Sequence, residues 1–307
     1  MIEKKESISN LVKYYFDKRM IKILLIGIIS GFPWVLIGSS LTLWLNEEGL
    51  TRTTIGWAGL IFSVYAFNYM WAPLIDRVRI PILTAKIGHR KSWIFLMQSV
   101  IILSLIFWSF LNPTENLSLV IGAGLFIAVA SSTQDITLDA LRIEQINKKE
   151  TKVMAAGAAI TVVGWWTGYK IGGVISLNIA QIFENFGISN YWQFTFLVMG
   201  IIVAVLNILL LFIKEKVKHK KNLIQKKLDQ NIIEKIGSDN FFSKIFAWVS
   251  STISGPILSF FKKNGVKISL GILGFIFLFK IGEAFLGRMS VLFYKEVGFS
   301  KSDIALY

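Results

Sequence analysis

Residues 192–213 read WQFTFLVMGIIVAVLNILLLFI, twenty-two positions without one charged side chain, and Lys214 follows directly. At 1.5 Å of rise per residue, such a helix is long enough to cross a hydrocarbon core about 30 Å thick. Inside lipid no water can satisfy a backbone amide, so a spanning segment must bond to itself, as a helix does. Working outward from this run, five more reach that length cleanly or nearly so: 23–45, 55–75, 92–111, 117–141 and 153–178. A seventh, 268–293, is interrupted by Lys280, Glu283 and Arg288 and is read as a span nonetheless. The expectation is an all-α integral membrane protein. Composition agrees with it: 54% of residues are hydrophobic, 17% are charged, and the mean hydropathy of +0.59 leaves too little polar surface to wet a soluble fold.

The net charge of +14 could point to nucleic acid, but the basic residues fall in short clusters between apolar runs, which excludes one continuous basic face. Their distribution sets the topology instead. The arm through Lys22 has six Lys or Arg, the loop 76–91 five, the loop 142–152 four and the stretch 214–267 twelve. The loops 46–54, 112–116 and 179–191 have one, none and none. Because Lys and Arg are retained inside, the N-terminus is expected in the cytoplasm and the seventh span is expected to end outside. No small-residue cleavage site follows the first apolar run, so it is read as a retained helix.

The chain divides into a six-helix bundle at 1–213, a basic cytoplasmic linker at 214–265, and a seventh helix with the start of an incomplete second bundle at 266–307. In the linker, Phe242, Ile245, Phe246, Val249 and Ile253 recur at helical spacing until Gly255-Pro256 ends the pattern, which suggests a short helix along the inner face. Six helices, a long basic linker and a seventh helix make the layout of a major facilitator transporter.

Ionisable side chains inside a span cost about 2.5–3.5 kcal/mol each and need a partner, a cavity or a function. In SSTQDITLDALR of the fourth span, Asp135 and Asp139 stand at i, i+4 on one face beside Gln134,. Asp135 is deep enough for substrate binding or proton exchange; Asp139 could serve with it or simply be an interfacial carboxylate paired with Arg142. In GWWTGYKIGG of the fifth span, Lys170 follows Trp166 and Tyr169, and it could bind an anionic or sugar-like ligand or neutralise Asp135. The repeat of Gly164, Gly168 and Gly172 reads as close helix packing. Lys280 and Glu283 form either a static pair or one that changes partner with a proton. Gly31 and Pro33 mark a loosened first span of the kind that faces a central cavity. Asp76, Arg77, Arg90 and Lys91 could lock helix ends during a transport cycle or be ordinary cytoplasmic charges. No cofactor is implied. His89 and His219 have no metal-ligand neighbours, cysteine is absent, and no nucleotide-binding, metalloprotease or hydrolase signature occurs,.

Several stretches resemble the AmpG-type muropeptide permeases, the branch of the major facilitator superfamily grouped with acetyl-CoA transporters. They are SGFPWVLIGSSLTLWL, GLTRTTIGW, YMWAPLIDRVRIP, SSTQDITLDALR, PILSFFKKN, FLFKIGEAFLG and VGFSKSDI, with WAPLIDR and QDITLDA the most specific. The resemblance implies proton-driven import of sugar-peptide fragments of the cell wall, with Asp135, Asp139, Lys170, Lys280 and Glu283 as the buried charged positions. Its partners would be lipid, the sugar-peptide and protons, with no nucleic acid. That family has at least twelve spans, so a second polypeptide supplying the remaining helices is a further expectation. Acetyl-CoA or another anionic metabolite is the alternative cargo, and a non-transporting membrane subunit or fragment the alternative role.

Overall fold

The computed structural model describes residues 8–147, 149–215, 229–234 and 240–306, and within the helices at 241–306 it leaves some side chains outside the described residues. His219 and most of the charged linker therefore lie outside what is described, as do the side chains of Lys280, Glu283, Arg288, Phe242, Ile245 and Ile253. All regular structure among the described residues is helical.

Seven long segments follow the apolar runs: α1 (Arg19–Glu47), α2 (52–77), α3 (His89–Trp108), α4 (Pro113–Gln145), α5 (Thr151–Asn185), α6 (Tyr191–Leu211) and α7 (Val266–Val297). Among the described residues α1, α3, α4 and α6 are long and apolar enough by themselves to cross a membrane. The second run departs from the uniform helix expected of it. It is built from Arg52–Ala58, Val64–Phe67 and Ala72–Arg77, joined by 3₁₀ turns at Gly59–Ser63 and Asn68–Met70. Tighter turns of this kind hydrogen-bond less well than α-helix, and tertiary bonds to α4 hold the segment: the Trp71 indole donates to Thr133 Oγ1 at 3.0 Å and Asn68 to the Ser132 carbonyl at 3.5 Å.

Helix ends follow local chemistry. Asn112 accepts from the Thr114 amide at 2.9 Å with Pro113 opening α4, and Thr51 accepts from the Thr54 amide at the start of α2,. α3 begins at Gly88, whose φ of 102° only glycine adopts easily and where a Cβ would lie 2.5 Å from a Glu215 oxygen,. That carboxylate accepts from the amides of Arg90 and Lys91 at 3.0–3.1 Å, the natural use of a positive helix N-terminus.

The tightest seam joins α1 to α5. A Cβ on Gly31 would stand 2.0 Å from the Trp165 carbonyl, one on Gly168 2.3 Å from that of Ile28, and one on Gly164 2.5 Å from that of Leu24. Three facing glycines thus let two backbones touch, as small residues do where helices associate in lipid. Pro33 does not break α1; the helix runs through it and widens into a π turn at Leu36–Ser40. At the end of α1 the rings of Trp44, Trp108, Trp192 and Phe196 pack with centroids 4.8–5.9 Å apart, joining it to α3 and α6.

The linker also differs from expectation. Gly255-Pro256 does not end the helix Phe241–Val249; a π turn at Ser250–Ser254 carries it into a further helix, Gly255–Asn264. The missing Pro256 amide falls directly after that π turn, where the α-helical ladder is already interrupted,.

Candidate functional site

Near the middle of α1 and about two thirds of the way along α4 lies a polar cluster. The Ser30 hydroxyl donates to Asp135 Oδ1 at 2.6 Å, and the neighbouring Gln134 amide donates to the Ile29 carbonyl at 2.9 Å, so two adjacent side chains of α4 grip two adjacent residues of α1. One turn earlier on α4, Ser131 is fully buried. On α2 the hydroxyl of buried Tyr65 lies against Ser131 Oγ, and Gln134 Oε1 has no hydrogen-bond partner among the described residues. Buried polar atoms are seldom left so, because each costs about 1–3 kcal/mol. Such an atom, with the Tyr65 and Ser131 hydroxyls, beside one half-buried carboxylate makes a place suited to water, protons or polar ligand atoms.

An aromatic wall adjoins it. Trp34 packs against Phe62, Tyr65 and Trp165 at 4.8, 4.6 and 5.4 Å between centroids, and Trp165 stacks on Tyr169 at 5.6 Å. Indole and phenol rings combine flat apolar faces with polar edges, a surface suited to a sugar ring. Ser30, Trp34, Tyr65 and Trp165 were not singled out by the sequence. Serine and aromatic residues are ordinary inside spans, and only the contact between helices marks them.

The two carboxylates of the fourth span part company. Asp135 faces α1, whereas Asp139 is 63% exposed and accepts from Arg142 Nε at 3.2 Å, the interfacial arrangement. On α5, Tyr169 joins the wall, while Trp166 and Lys170 lie on the exposed side of the helix. Gly31 serves the α1–α5 contact.

The loop residues fall into two groups. Arg90 is buried and pairs with Asp76 at 2.5 Å and Glu144 at 3.9 Å, and buried Lys91 reaches the Leu211 carbonyl at 3.4 Å; these bonds hold the ends of α2, α3, α4 and α6 together. Arg77 instead holds the linker. It donates to the Trp248 carbonyl at 3.1 Å and Thr252 Oγ1 at 2.6 Å, bonds Ser251 and Asp229, and lies 5.1 Å over the Trp248 ring.

At the opposite end a second charged network centres on Glu47. Its carboxylate takes Lys295 at 2.7 Å, Lys301 at 3.1 Å, the Tyr191 hydroxyl at 2.9 Å and the Trp192 indole at 2.8 Å. Lys301 is fully buried, also bonds Glu184 at 2.8 Å and sits 4.4 Å over the Tyr191 ring. Arg52 pairs with Glu296, and Ser302 donates to Asn178 at 2.8 Å. The ends of α1, α5 and α6 and the start of α2 are thereby fastened to α7 and the helix Lys301–Leu306. No cluster of metal-ligating side chains occurs among the described residues.

The Major Facilitator Superfamily model matches residues 23–307. A Rickettsia felis protein whose name carries the transporter designation AmpG 4 is 33% identical over 296 residues, covering 96% of this chain and 64% of that protein. Its Rickettsia conorii namesake is 35% identical over the same shares. The anhydromuropeptide permease of Escherichia coli K12 is 25% identical, over 97% of this chain and 53% of its own length. The chain thus spans somewhat less than two thirds of the curated relatives it matches.

Proposed function

We propose that this chain, which belongs to the major facilitator superfamily and is a multi-pass membrane protein, forms the substrate-bearing bundle of a proton-coupled importer of anhydro-muropeptide-type sugar-peptides in a bacterial inner membrane. The observation that carries this reading is the Asp135 carboxylate within a span, bonded to Ser30 and set beside the buried Ser131 and Tyr65 hydroxyls and the Gln134 Oε1, which lacks a partner among the described residues. A proton arriving at Asp135 removes its charge and the cost of holding that charge between helices. The aromatic wall offers apolar faces to sugar rings, and Gln134, Ser131 and Tyr65 offer hydrogen bonds. The likeness to AmpG-named proteins supports the cargo class, and the basic loops support a cytoplasmic N-terminus. With that orientation the Glu47 network closes the outer end, and the Arg77 contacts lie at the inner one. Lys280 and Glu283 on α7 remain proposed members of the same pathway, as do Lys170 and Trp166 on its rim.

The test is uptake of labelled anhydro-muropeptide by bacteria lacking their own permease. The chain is expressed alone and joined to the part of the Rickettsia felis relative that it does not span. Uptake that collapses with a protonophore and with Asp135→Asn, at unchanged protein level, is expected. No uptake in either format, full activity of Asp135→Asn, or preferential uptake of acetyl-CoA would overturn the assignment.

A further inference from the structure

We propose that an anionic phospholipid of the cytoplasmic leaflet occupies a groove between α2, α3 and α4, its acyl chain lying in the groove and its phosphate held by Arg79 and Lys86. The groove has a volume of about 530 Å³ and is walled by Phe67, Trp71 and Leu74 of α2, Trp93 and Met97 of α3, and Val129 of α4. It lies beside the point where the broken α2 is bonded to α4 through Trp71 and Asn68. Both indole N–H groups in its wall already have acceptors, Trp71 in Thr133 Oγ1 at 3.0 Å and Trp93 in the Val78 carbonyl at 2.8 Å. Their ring faces are therefore left to an apolar occupant, at the level where tryptophan sits in membrane proteins.

The loop that joins α2 to α3 runs from one wall of the groove, at Leu74 and Ile75, to the other, at Trp93. Trp93 pins Val78 to the wall, and His89 Nε2 bonds the carbonyl of Ile75, itself a lining residue, at 2.9 Å. Of the five basic residues in this loop, three are used internally: Arg77 on the linker, Arg90 on Asp76 and Lys91 on Leu211. Arg79 and Lys86 are exposed and make no ion pair among the described residues. Beside them the apolar side chains of Val78 and Ile82 are also exposed, Ile82 to 72%. Two cations interleaved with exposed aliphatic groups make a surface fitted to a charged headgroup region. A zwitterionic lipid would fill the groove equally well but would leave the two cations without a net counter-charge.

The test is native mass spectrometry of the full chain released from nanodiscs of equimolar phosphatidylglycerol and phosphatidylcholine. Preferential retention of phosphatidylglycerol is expected, falling about fivefold for each charge removed in Arg79→Gln and Lys86→Gln. Val129→Trp, which fills the groove, should abolish retention with both charges intact. Equal retention of the two lipids, or phosphatidylglycerol retained undiminished in either the double charge variant or Val129→Trp, overturns the proposal. Because Arg79 and Lys86 are exposed, their replacement should leave the melting temperature unchanged.

Discussion

Serine 30 offsets part of the cost of a carboxylate among apolar side chains. A hydrogen bond to a charged group contributes about 1.5–3 kcal/mol, so Ser30→Ala should slow uptake roughly tenfold or more while Ser30→Thr, which keeps the donor, stays near the parent rate. Initial rates of labelled-substrate uptake check this, and a parent-like rate for the alanine variant would remove Ser30 from the site. Asp135 and Gln134 are legible in the sequence because a carboxylate and an amide inside an apolar run demand an explanation. Their partners are not. Ser30 lies 105 residues from Asp135, and the spacing that paired Asp135 with Asp139 says which residues share a helix face without saying which neighbour covers each. The one turn of depth between them, about 6 Å, decides that one meets α1 and the other water and Arg142.

At the level of helices, the glycine repeat of α5 announces close packing, and the structure supplies the partner, Gly27 and Gly31 of α1. Gly164→Leu or Gly168→Leu should therefore overpack the seam at a cost of about 1–3 kcal/mol, lowering the melting temperature in detergent. Gly173→Ala, with nothing within 4 Å of its Cβ position, should not. Equal melting points for all three would show that the seam does not hold the bundle. The start of α1 carries a second, electrostatic fastening. Arg19 bonds Asp17 at 2.6–2.9 Å and Glu150 at 2.7–3.0 Å, and these hydrogen bonds draw the Asp17 carboxyl down to about 2 and the Glu150 carboxyl below its usual range. Groups lowered on folding contribute above their unfolded values, about 3.9 and 4.3, and lose that contribution as pH falls through the folded ones. Hydrogen exchange at residues 17–23, corrected for intrinsic rate, should be the same at pH 5 and pH 8 and should rise at both in Asp17→Asn/Glu150→Gln. A marked rise between pH 8 and pH 5 in the parent would contradict it. The segmented α2 and the continuation of the linker helix past Pro256 escaped the sequence. Hydropathy reports which residues prefer lipid and is blind to whether a backbone turns at 3.0 or 3.6 residues.

Across the whole molecule, the two charged networks occupy opposite ends and differ in what they join. The Arg90 and Lys91 bonds close the six-helix bundle on itself, whereas the Glu47 network fastens that bundle to α7 and Lys301–Leu306. A carrier that exposes its site to each side in turn must release one such fastening. The buried Lys301 makes release of the outer one conditional, since leaving one member of a buried pair unpartnered costs about 3–5 kcal/mol. Hydropathy could not flag Glu47 or Lys301, which read as ordinary charges at span ends until the fold brings them together. The chain contains no cysteine, so Asn178→Cys/Ser302→Cys can report on this joint directly, the parent side chains being 2.8 Å apart. Oxidative cross-linking should be efficient in the parent background. In Glu47→Gln, which keeps the shape but drops the charge holding Lys295 and Lys301, it should fall several-fold, and the thiols should become open to an impermeant maleimide applied from outside. Cross-linking that is as efficient without the Glu47 charge would mean that packing alone holds the outer end shut and that the network is no gate.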